Sequence, residues 1–345
     1  MSVEKVTVAV ITYNGEKLLE EGLSAIESQD YPEYETMLVD NSSTDGSVDL
    51  VKRKFPKVKV LQMKENRGPS PARNAAIKEA DTRYILLVDD DAVLAPDCLK
   101  TLMSALARFP TAAVWSPRVV YYDRKDVIQF EGASLHFVGE AIAKNPDVPI
   151  EDGLEEEPFS IDAAGGVAYI VDKEKALQIG LFDEDYFFGK TDGEFTFRLT
   201  MSGFRCLTVP RALVYHKVKP RGLSKVFYQV RNRWYLILQT YSLKTIFIII
   251  PALLIYEICA VLFFTAKGAL SEYLRANLAV LKEFPRLMHK RRKVQALKKL
   301  SDRQVLHAGD FYLRGDLIEK KYHKLAKNLL NCTLNLYWKV VKNLI

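Results

Sequence analysis

From Val6 to about Val218, short runs of β-branched and apolar residues alternate with segments whose apolar positions recur every three or four residues. Such alternation predicts an α/β chain with a mostly parallel sheet covered by helices. Val6 to Ile11, Glu35 to Val39, Val58 to Gln62 and Tyr84 to Val88 read as strands. Helices are predicted over Lys17 to Gln29, Ser47 to Phe55, Pro71 to Glu79 and Ala95 to Phe109. Three of the strands run into polar clusters, Thr12-Tyr13-Asn14, Asp40-Asn41 and Asp89-Asp90-Asp91. Ligands of open α/β sheets sit at the carboxyl ends of strands, so these clusters mark the expected site. The acidic, proline-bearing stretch from Asp147 to Pro158 reads as a surface loop.

Past Val218 the pattern changes. Leu243 to Ala266 is almost wholly apolar and close to the roughly 20 residues a bilayer span needs. Pro251 would kink such a helix, and Glu257 would cost about 2.5–3.5 kcal/mol near the bilayer centre. Basic residues flank it on both sides, Arg231 and Arg233 before and Lys290 to Lys293 after, whereas a single span favours asymmetry. A re-entrant or interfacial element is therefore expected. Leu270, Tyr273, Leu274, Leu278 and Leu281 repeat at helical spacing among charged residues, as do Tyr322, Leu325, Leu329, Leu336, Val340 and Leu344. The alternative is a soluble helical subdomain.

Charge sharpens this reading. Net charge is +6 over 345 residues, but residues 267 to 345 hold 18 Lys and Arg against 6 Asp and Glu. An apolar stretch followed by a basic tail suits an anionic membrane surface better than nucleic acid. Hydrophobic residues make up 48% of the chain, enough for a full core. Cys98, Cys206, Cys259 and Cys332 are too far apart for a zinc motif or a dense disulfide framework. The first strand begins at Val6 with no signal-peptide pattern before it, so the catalytic part is expected in the cytoplasm.

Asp89 and Asp91 stand two apart at a strand end, so in extended backbone they project to one side and Asp90 to the other. Two carboxylates there suit Mg²⁺ or Mn²⁺ together with phosphate oxygens. An isolated Asp-x-Asp is more often a solvated turn, and the rest of the chain decides. VTVAVITYNGEKLL, MLVDNSSTDGS, NRGPSPARNAAI and the triple aspartate follow in an order and spacing that resembles glycosyltransferase family 2, the inverting enzymes of the GT-A fold, over roughly residues 5 to 235. The resemblance implies that Thr12, Tyr13 and Asn14 lie against the nucleotide and that Asp40 accepts from a base N–H. It puts Arg73 on the diphosphate, near a helix start, and Asp89 and Asp90 on the nucleotide sugar.

The later segments are similar to the same family. Ala163-Ala164-Gly165-Gly166-Val167 looks like its glycine-bearing strand, in which Gly165 and Gly166 approach the donor sugar unhindered by a Cβ. GLFDEDYFFGKTDGEFTFRL resembles the segment that carries the general base, which falls on Asp192. Thr191 stands where the family usually has Glu, leaving Glu194 as a candidate partner for the base. A plainer role for Asp192, capping a helix over Gly193 to Met201, stays open beside it. VPRALVYH ends in His216, implied as a metal ligand with Asp89 and Asp91; an imidazole tilts the site toward Mn²⁺. Gln229 to Trp234 is one place out of register with the Gln-x-x-Arg-Trp of processive synthases. A non-processive, rhamnosyltransferase-like branch is expected.

The expected architecture is a Rossmann-like GT-A catalytic domain over 1–225, its nucleotide-sugar half about 1–110 and its acceptor half 111–225. A helical membrane-associated region over 226–345 follows. The expected activity is metal-dependent transfer of one sugar from a UDP-, dTDP- or GDP-sugar to a saccharide or lipid-linked acceptor in cell-surface or glycoprotein glycan assembly. It would act at the cytoplasmic face of the cell membrane, without nucleic acid. Two alternatives are a sugar nucleotidyltransferase, although the loop after the first strand lacks that class's glycine-rich basic pattern, and a non-catalytic membrane scaffold.

Overall fold

Strand β1 (Val6–Thr12) is buried along its whole length. Val6, Val8 and Val10 serve one core face, Ala9 and Ile11 the other, the two-sided burial that parallel strands require. Helix α1 (Glu16–Glu27) buries Leu19, Leu23 and Ile26 at helical spacing and returns the chain to β2 (Tyr34–Asp40), parallel to β1. α2 (Ser47–Lys54), β3 (Lys59–Gln62), α3 (Pro69–Glu79) and β4 (Tyr84–Asp89) complete a half sheet in which β4 lies across β1 from β2. Strand order thus reverses between β1 and β4, which opens a crevice at their carboxyl ends. The predicted elements of this half all form, with small shifts at their ends. The computed structural model describes residues 4–151, 154–218, 222–312 and 321–345.

The short β5 (Ala92–Leu94), α4 (Cys98–Arg108) and β6 (Val114–Tyr121) come next. β7 (Ile128–Phe130) pairs with β6, while β8 (Ala133–Leu135) and β9 (Ala141–Ala143) make a separate hairpin. The described part of the predicted 147–158 loop holds no strand or helix; residues 152 and 153 lie outside the described residues. β10 (Phe159–Ile161), β11 (Ala168–Asp172), α5 (Lys173–Gln178), α6 (Thr191–Met201) and β12 (Cys206–His216) finish a sheet ordered β10-β12-β6-β11-β4-β1-β2-β3. β11 runs antiparallel to both β4 and β6, so the second half of the sheet is mixed. α1, α2 and α4 cover one face and α3, α5 and α6 the other.

α7 (Val226–Thr240), α8 (Leu243–Ala266), α9 (Leu270–Ala296), α10 (Asp302–Val305) and α11 (Lys321–Val341) complete the chain. Phe197 and Met201 of α6 share one apolar cluster with Leu236, Ile249, Leu253 and Trp338, so these helices pack directly on the sheet's outer helix. α8 stays a single helix through Pro251. It buries Thr245, Ile249, Ala252 and Leu253 and turns Leu243, Phe247, Leu254, Ile258 and Leu262 outward. On α11, Leu325, Leu329, Leu336 and Val340 also face out; the side chain of Tyr322, placed by spacing in that series, lies outside the described residues.

Glu257 points into the protein. It bonds to Arg233 of α7 and accepts from the Tyr273 hydroxyl of α9. Arg233 is buried, and its Nε donates to the Val138 carbonyl at 2.7 Å. Two residues that sequence reasoning assigns to a span's interior and its headgroup flank are thus partners in one ion pair. Removing one partner of such a pair strands the other's charge, so Arg233→Met is expected to cost about 3–5 kcal/mol. The check is the chemical denaturation midpoint: adding Glu257→Leu should recover much of the loss, and a double variant no more stable than Arg233→Met alone would rule out the pair as its source.

Candidate active site

β4 stops at Asp89 and the chain turns before β5 begins at Ala92. The alternation expected of the three aspartates is therefore broken, and each carboxylate meets a different element. Asp90 accepts from Thr12 Oγ1 at 2.6 Å. Asp91 Oδ1 lies 3.3 Å from His216 Nε2, at the end of β12. Asp89 Oδ1 accepts from Arg73 Nη2 at 2.7 Å. Asp89 is held by Arg73 and Asp91 faces His216, and Asp90, expected to point away, ties β4 to the end of β1. Gly15 permits that tie, because a Cβ there would stand 2.3 Å from Thr12 Oγ1 and 2.5 Å from Asp90 Oδ2.

The turns after β1 and β2 are joined by short polar contacts. Asn14 Oδ1 accepts from Thr44 N and Ser43 Oγ from Asn14 N, both at 2.8 Å. Asp40, buried, accepts from Ser43 N at 3.2 Å, which closes its own turn. Tyr13 projects at the rim, 49% exposed. The residues assigned to the nucleotide thus converge beside the crevice, with Asp40 engaged in shaping the loop.

Arg73 departs most from expectation. Its side chain is only 3% exposed. Besides Asp89 it reaches Asp192 Oδ1 at 2.8 Å through Nη1 and the Gly166 carbonyl at 3.1 Å through Nη2. Burial alone would lower its pKa, but Asp192 and Asp89 outweigh that and raise it, so the guanidinium is a fixed cation. The diphosphate contact implied for it is replaced here by two inward carboxylates. Burial pushes the Asp89 carboxyl up to about 7 against the pull of Arg73, with Asp91, Asp192 and Asp90 adding to the rise.

Asp192 is the second residue of α6, one place beyond Thr191 and two beyond the cap position Lys190, so it does not cap that helix. Its Oδ1 accepts from the Tyr169 hydroxyl at 2.7 Å and its Oδ2 from Thr191 Oγ1 at 2.7 Å. Thr191 itself is therefore the supporting partner. Glu194 turns away into a bidentate pair with Arg198. A Cβ on Gly166 would meet Asp192 Oδ2 at 2.5 Å, and one on Gly165 would meet the Phe130 ring at 2.6 Å. The space these glycines leave is filled by Asp192 and Phe130, not left open for a donor sugar.

Tyr169 and Gln129 escaped sequence reasoning. A tyrosine within a fully buried strand must find a partner for its hydroxyl, which was the available signal for Tyr169; Gln129 carried none. Gln129 Oε1 lies 2.7 Å from His216 Nδ1. A proton on Nδ1 leaves Nε2 bare toward Asp91, and two facing acceptors suit a shared proton or a divalent cation. That chemistry fits a metal at Asp91 and His216. Among the described residues no three His, Cys, Asp or Glu side chains gather as a metal cage, so Asp89 does not complete the expected trio.

The model described as Glycosyl transferase family 2 matches residues 7–153, and that described as Glycosyl transferase family group 2 matches residues 84–281. Poly(ribitol-phosphate) beta-N-acetylglucosaminyltransferase TarS of Staphylococcus aureus is 39% identical over 101 residues, 28% of this chain and 18% of the relative. The chain thus spans less than a fifth of that protein's length. N-acetylglucosaminyl-diphospho-decaprenol L-rhamnosyltransferase of Mycobacterium tuberculosis is 24% identical over 236 residues, 62% of this chain and 77% of the relative. Among solved structures, GalNAc-T7 with UDP, GalNAc and Mn²⁺ is similar with a TM-score of 0.58 at 16% identity, over 70% of this chain and 49% of that one. The mannosyltransferase PcManGT of Pyrobaculum calidifontis with GDP-Man and Mn²⁺ gives 0.51 at 21%, over 98% and 86%. The matched models are of glycosyltransferases and not of nucleotidyltransferases. With one family model spanning more than half the chain, across the aspartate-bearing strand ends and the clasped Asp192 alike, the chain belongs to glycosyltransferase family 2 and has the GT-A fold.

Proposed function

We propose that the chain is a metal-dependent, inverting enzyme that moves a single sugar from a UDP-, dTDP- or GDP-sugar to a saccharide or polyprenyl-linked acceptor in cell-surface glycan assembly. The grip on Asp192 carries the reading. Arg73, Tyr169 and Thr191 orient its carboxylate beside the end of β4, in the crevice where nucleotides bind in sheets of this kind. In the proposed step the acceptor hydroxyl oxygen attacks the anomeric carbon while the bond to the diphosphate breaks. The diphosphate departs with the electron pair, and Asp192 takes the hydroxyl proton. A single displacement inverts the anomeric centre, with oxocarbenium character as in glycoside hydrolysis.

Asp91 and His216, with Asp89 nearby, would hold Mn²⁺ or Mg²⁺, which supplies positive charge against the leaving diphosphate. The Mn²⁺ of two structural neighbours and an imidazole in the donor set support that choice. The names of the two sequence relatives, one acting on a decaprenol diphosphate and one on a ribitol phosphate polymer, support an acceptor borne on a carrier.

We also read α8, α9 and α11 as the side that meets an anionic lipid surface, with catalysis on its cytoplasmic face. Most outward positions of α8 from Leu243 to Leu262 are apolar, and exposed Lys244, near the start of α8, and Lys324, Lys339 and Lys342 accompany these stripes. Because α8 buries its opposite face and carries Glu257 inward, it suits a helix lying in the interface over one crossing the membrane.

Three measurements test these readings. Asp192→Asn should keep donor affinity and lower turnover by roughly 10²–10⁴-fold, the usual worth of a general base; turnover equal to the parent removes Asp192 from the step. Asp91→Ala should weaken donor binding and abolish Mn²⁺ activation, so a variant that Mn²⁺ still stimulates would refute the site. Sedimentation with phosphatidylglycerol-containing vesicles should carry the protein down, and Phe247→Glu with Leu254→Glu should leave it in solution. Equal recovery of both proteins in the pellet overturns the lipid face.

A further inference from the structure

Beyond the end of β6 lies a cleft of about 210 Å³ whose walls include Tyr121, Gln129, Phe130, Gly165, Val167 and Tyr312. No residue of β1, β2 or β3 lines it, so it is separate from the strand ends where the nucleotide is expected. It nevertheless borders the reacting groups on two sides. Gly165 lies flush against the Phe130 ring within the cleft, while the next residue, Gly166, lies against the Asp192 carboxylate. On the other side Gln129 hydrogen-bonds His216, which faces Asp91.

The chemistry of the walls narrows the occupant. Three aromatic side chains offer flat apolar surface. Asp147 accepts from the Tyr121 hydroxyl at 2.6 Å and from the Tyr312 hydroxyl at 2.7 Å, which fixes two phenols and a carboxylate at one edge. Burial and Asp147 both raise the pKa of Tyr121, and the same two causes raise that of Tyr312, so both phenols stay protonated with their single O–H on Asp147, which leaves the two phenol oxygens and the carboxylate as acceptors for ligand hydroxyls. None of the residues lining the cleft is Lys or Arg; Arg124 stacks on the Tyr121 ring, 4.4 Å from its centre, and the Asp147 carboxylate at the same edge offsets that charge, so the cleft suits a neutral ligand better than a phosphate. The volume falls below the roughly 300–1,000 Å³ of pockets for drug-sized ligands, which fits one ring and not an oligosaccharide.

We infer that this cleft is the acceptor subsite and that it takes a single neutral pyranose ring, stacked on the aromatic wall, with hydroxyls bound by Gln129 and the Tyr121–Asp147–Tyr312 edge. The inference rests on the glycosyltransferase reading. It adds that any phosphate of the acceptor lies outside the cleft, and that Gln129 links acceptor contact to the His216 ring.

Saturation-transfer NMR on the full chain tests it without turnover. The probes are methyl glycosides of glucose, galactose and N-acetylglucosamine, with ribitol phosphate as the charged comparison and UDP affinity measured in parallel. At least one methyl glycoside should bind and ribitol phosphate should not. Tyr312→Phe, which removes only a hydroxyl, should weaken glycoside binding about fivefold, and Phe130→Ala about tenfold or more, with UDP affinity unchanged in both. Binding of no methyl glycoside, preference for ribitol phosphate, equal glycoside binding in both variants, or joint loss of glycoside and UDP binding would each overturn the subsite. Failure to release a nucleotide from any sugar donor would count against the transferase reading instead, and is measured separately.

Discussion

The site depends on one buried cation. Arg73 comes from α3, in the half of the chain that builds the parallel sheet, yet its partners lie in both halves: Asp89 at the end of β4, and Asp192 and the Gly166 carbonyl beyond β10. A guanidinium almost closed to solvent is tolerable only with its charge answered, and two carboxylates do that here through Nη1 and Nη2, with the Gly166 carbonyl beside them. The demand propagates outward. Asp192 must come close, which requires Gly166 to lack a Cβ; Tyr169 and Thr191 also donate to it, one to each oxygen. The orientation of the candidate base is thereby mechanically tied to the strand end that bears the aspartates.

The elements of the first half were legible because local and global demands agree there. Strands buried on both faces and helices with one apolar stripe leave periodic marks in sequence. Resemblance named the candidate site's positions, but no rule read from sequence gave the directions of their side chains. The alternation rule for Asp89, Asp90 and Asp91 presumes a strand that continues, and β4 ends on the first of them. Arg73 finds Asp192 across 119 positions of sequence, a contact no window contains. Thr191 looked like a lost partner because it replaces a carboxylate, yet its hydroxyl at hydrogen-bond distance orients the candidate base, which already faces an arginine.

The helical region repeats that lesson with opposite outcome for composition. Hydropathy alone marks Leu243–Ala266 as long and apolar enough to cross a membrane. What it cannot register is that Glu257 is answered by Arg233 and Tyr273, or that Ile249 and Leu253 belong to a core shared with α6. An acid that would burden a span is, in this packing, what fastens the helix to the domain. The apolar residues left over then all lie on the far side, an inverted amphipathicity in which the face toward solvent is the greasier one.

This attachment also reaches the catalytic side. Lys190, the cap residue of α6 and two positions before Asp192, pairs with Glu140 at 2.6 Å. Glu140 accepts in turn from the Tyr256 hydroxyl of α8 at 2.8 Å, and Tyr256 lies beneath the Arg233 guanidinium, 4.0 Å from ring centre to its carbon. Lys190 holds a left-handed backbone conformation that an ordinary residue adopts only under constraint, and this chain of contacts supplies the constraint. The start of the helix that presents Asp192 is thus set by the same α7 and α8 residues whose outer neighbours expose apolar surface. Displacing α8 would remove the Tyr256 contact from Glu140 and loosen the turn at Lys190, so the exposed apolar surface of α8 and the candidate base Asp192 are held by one continuous set of contacts.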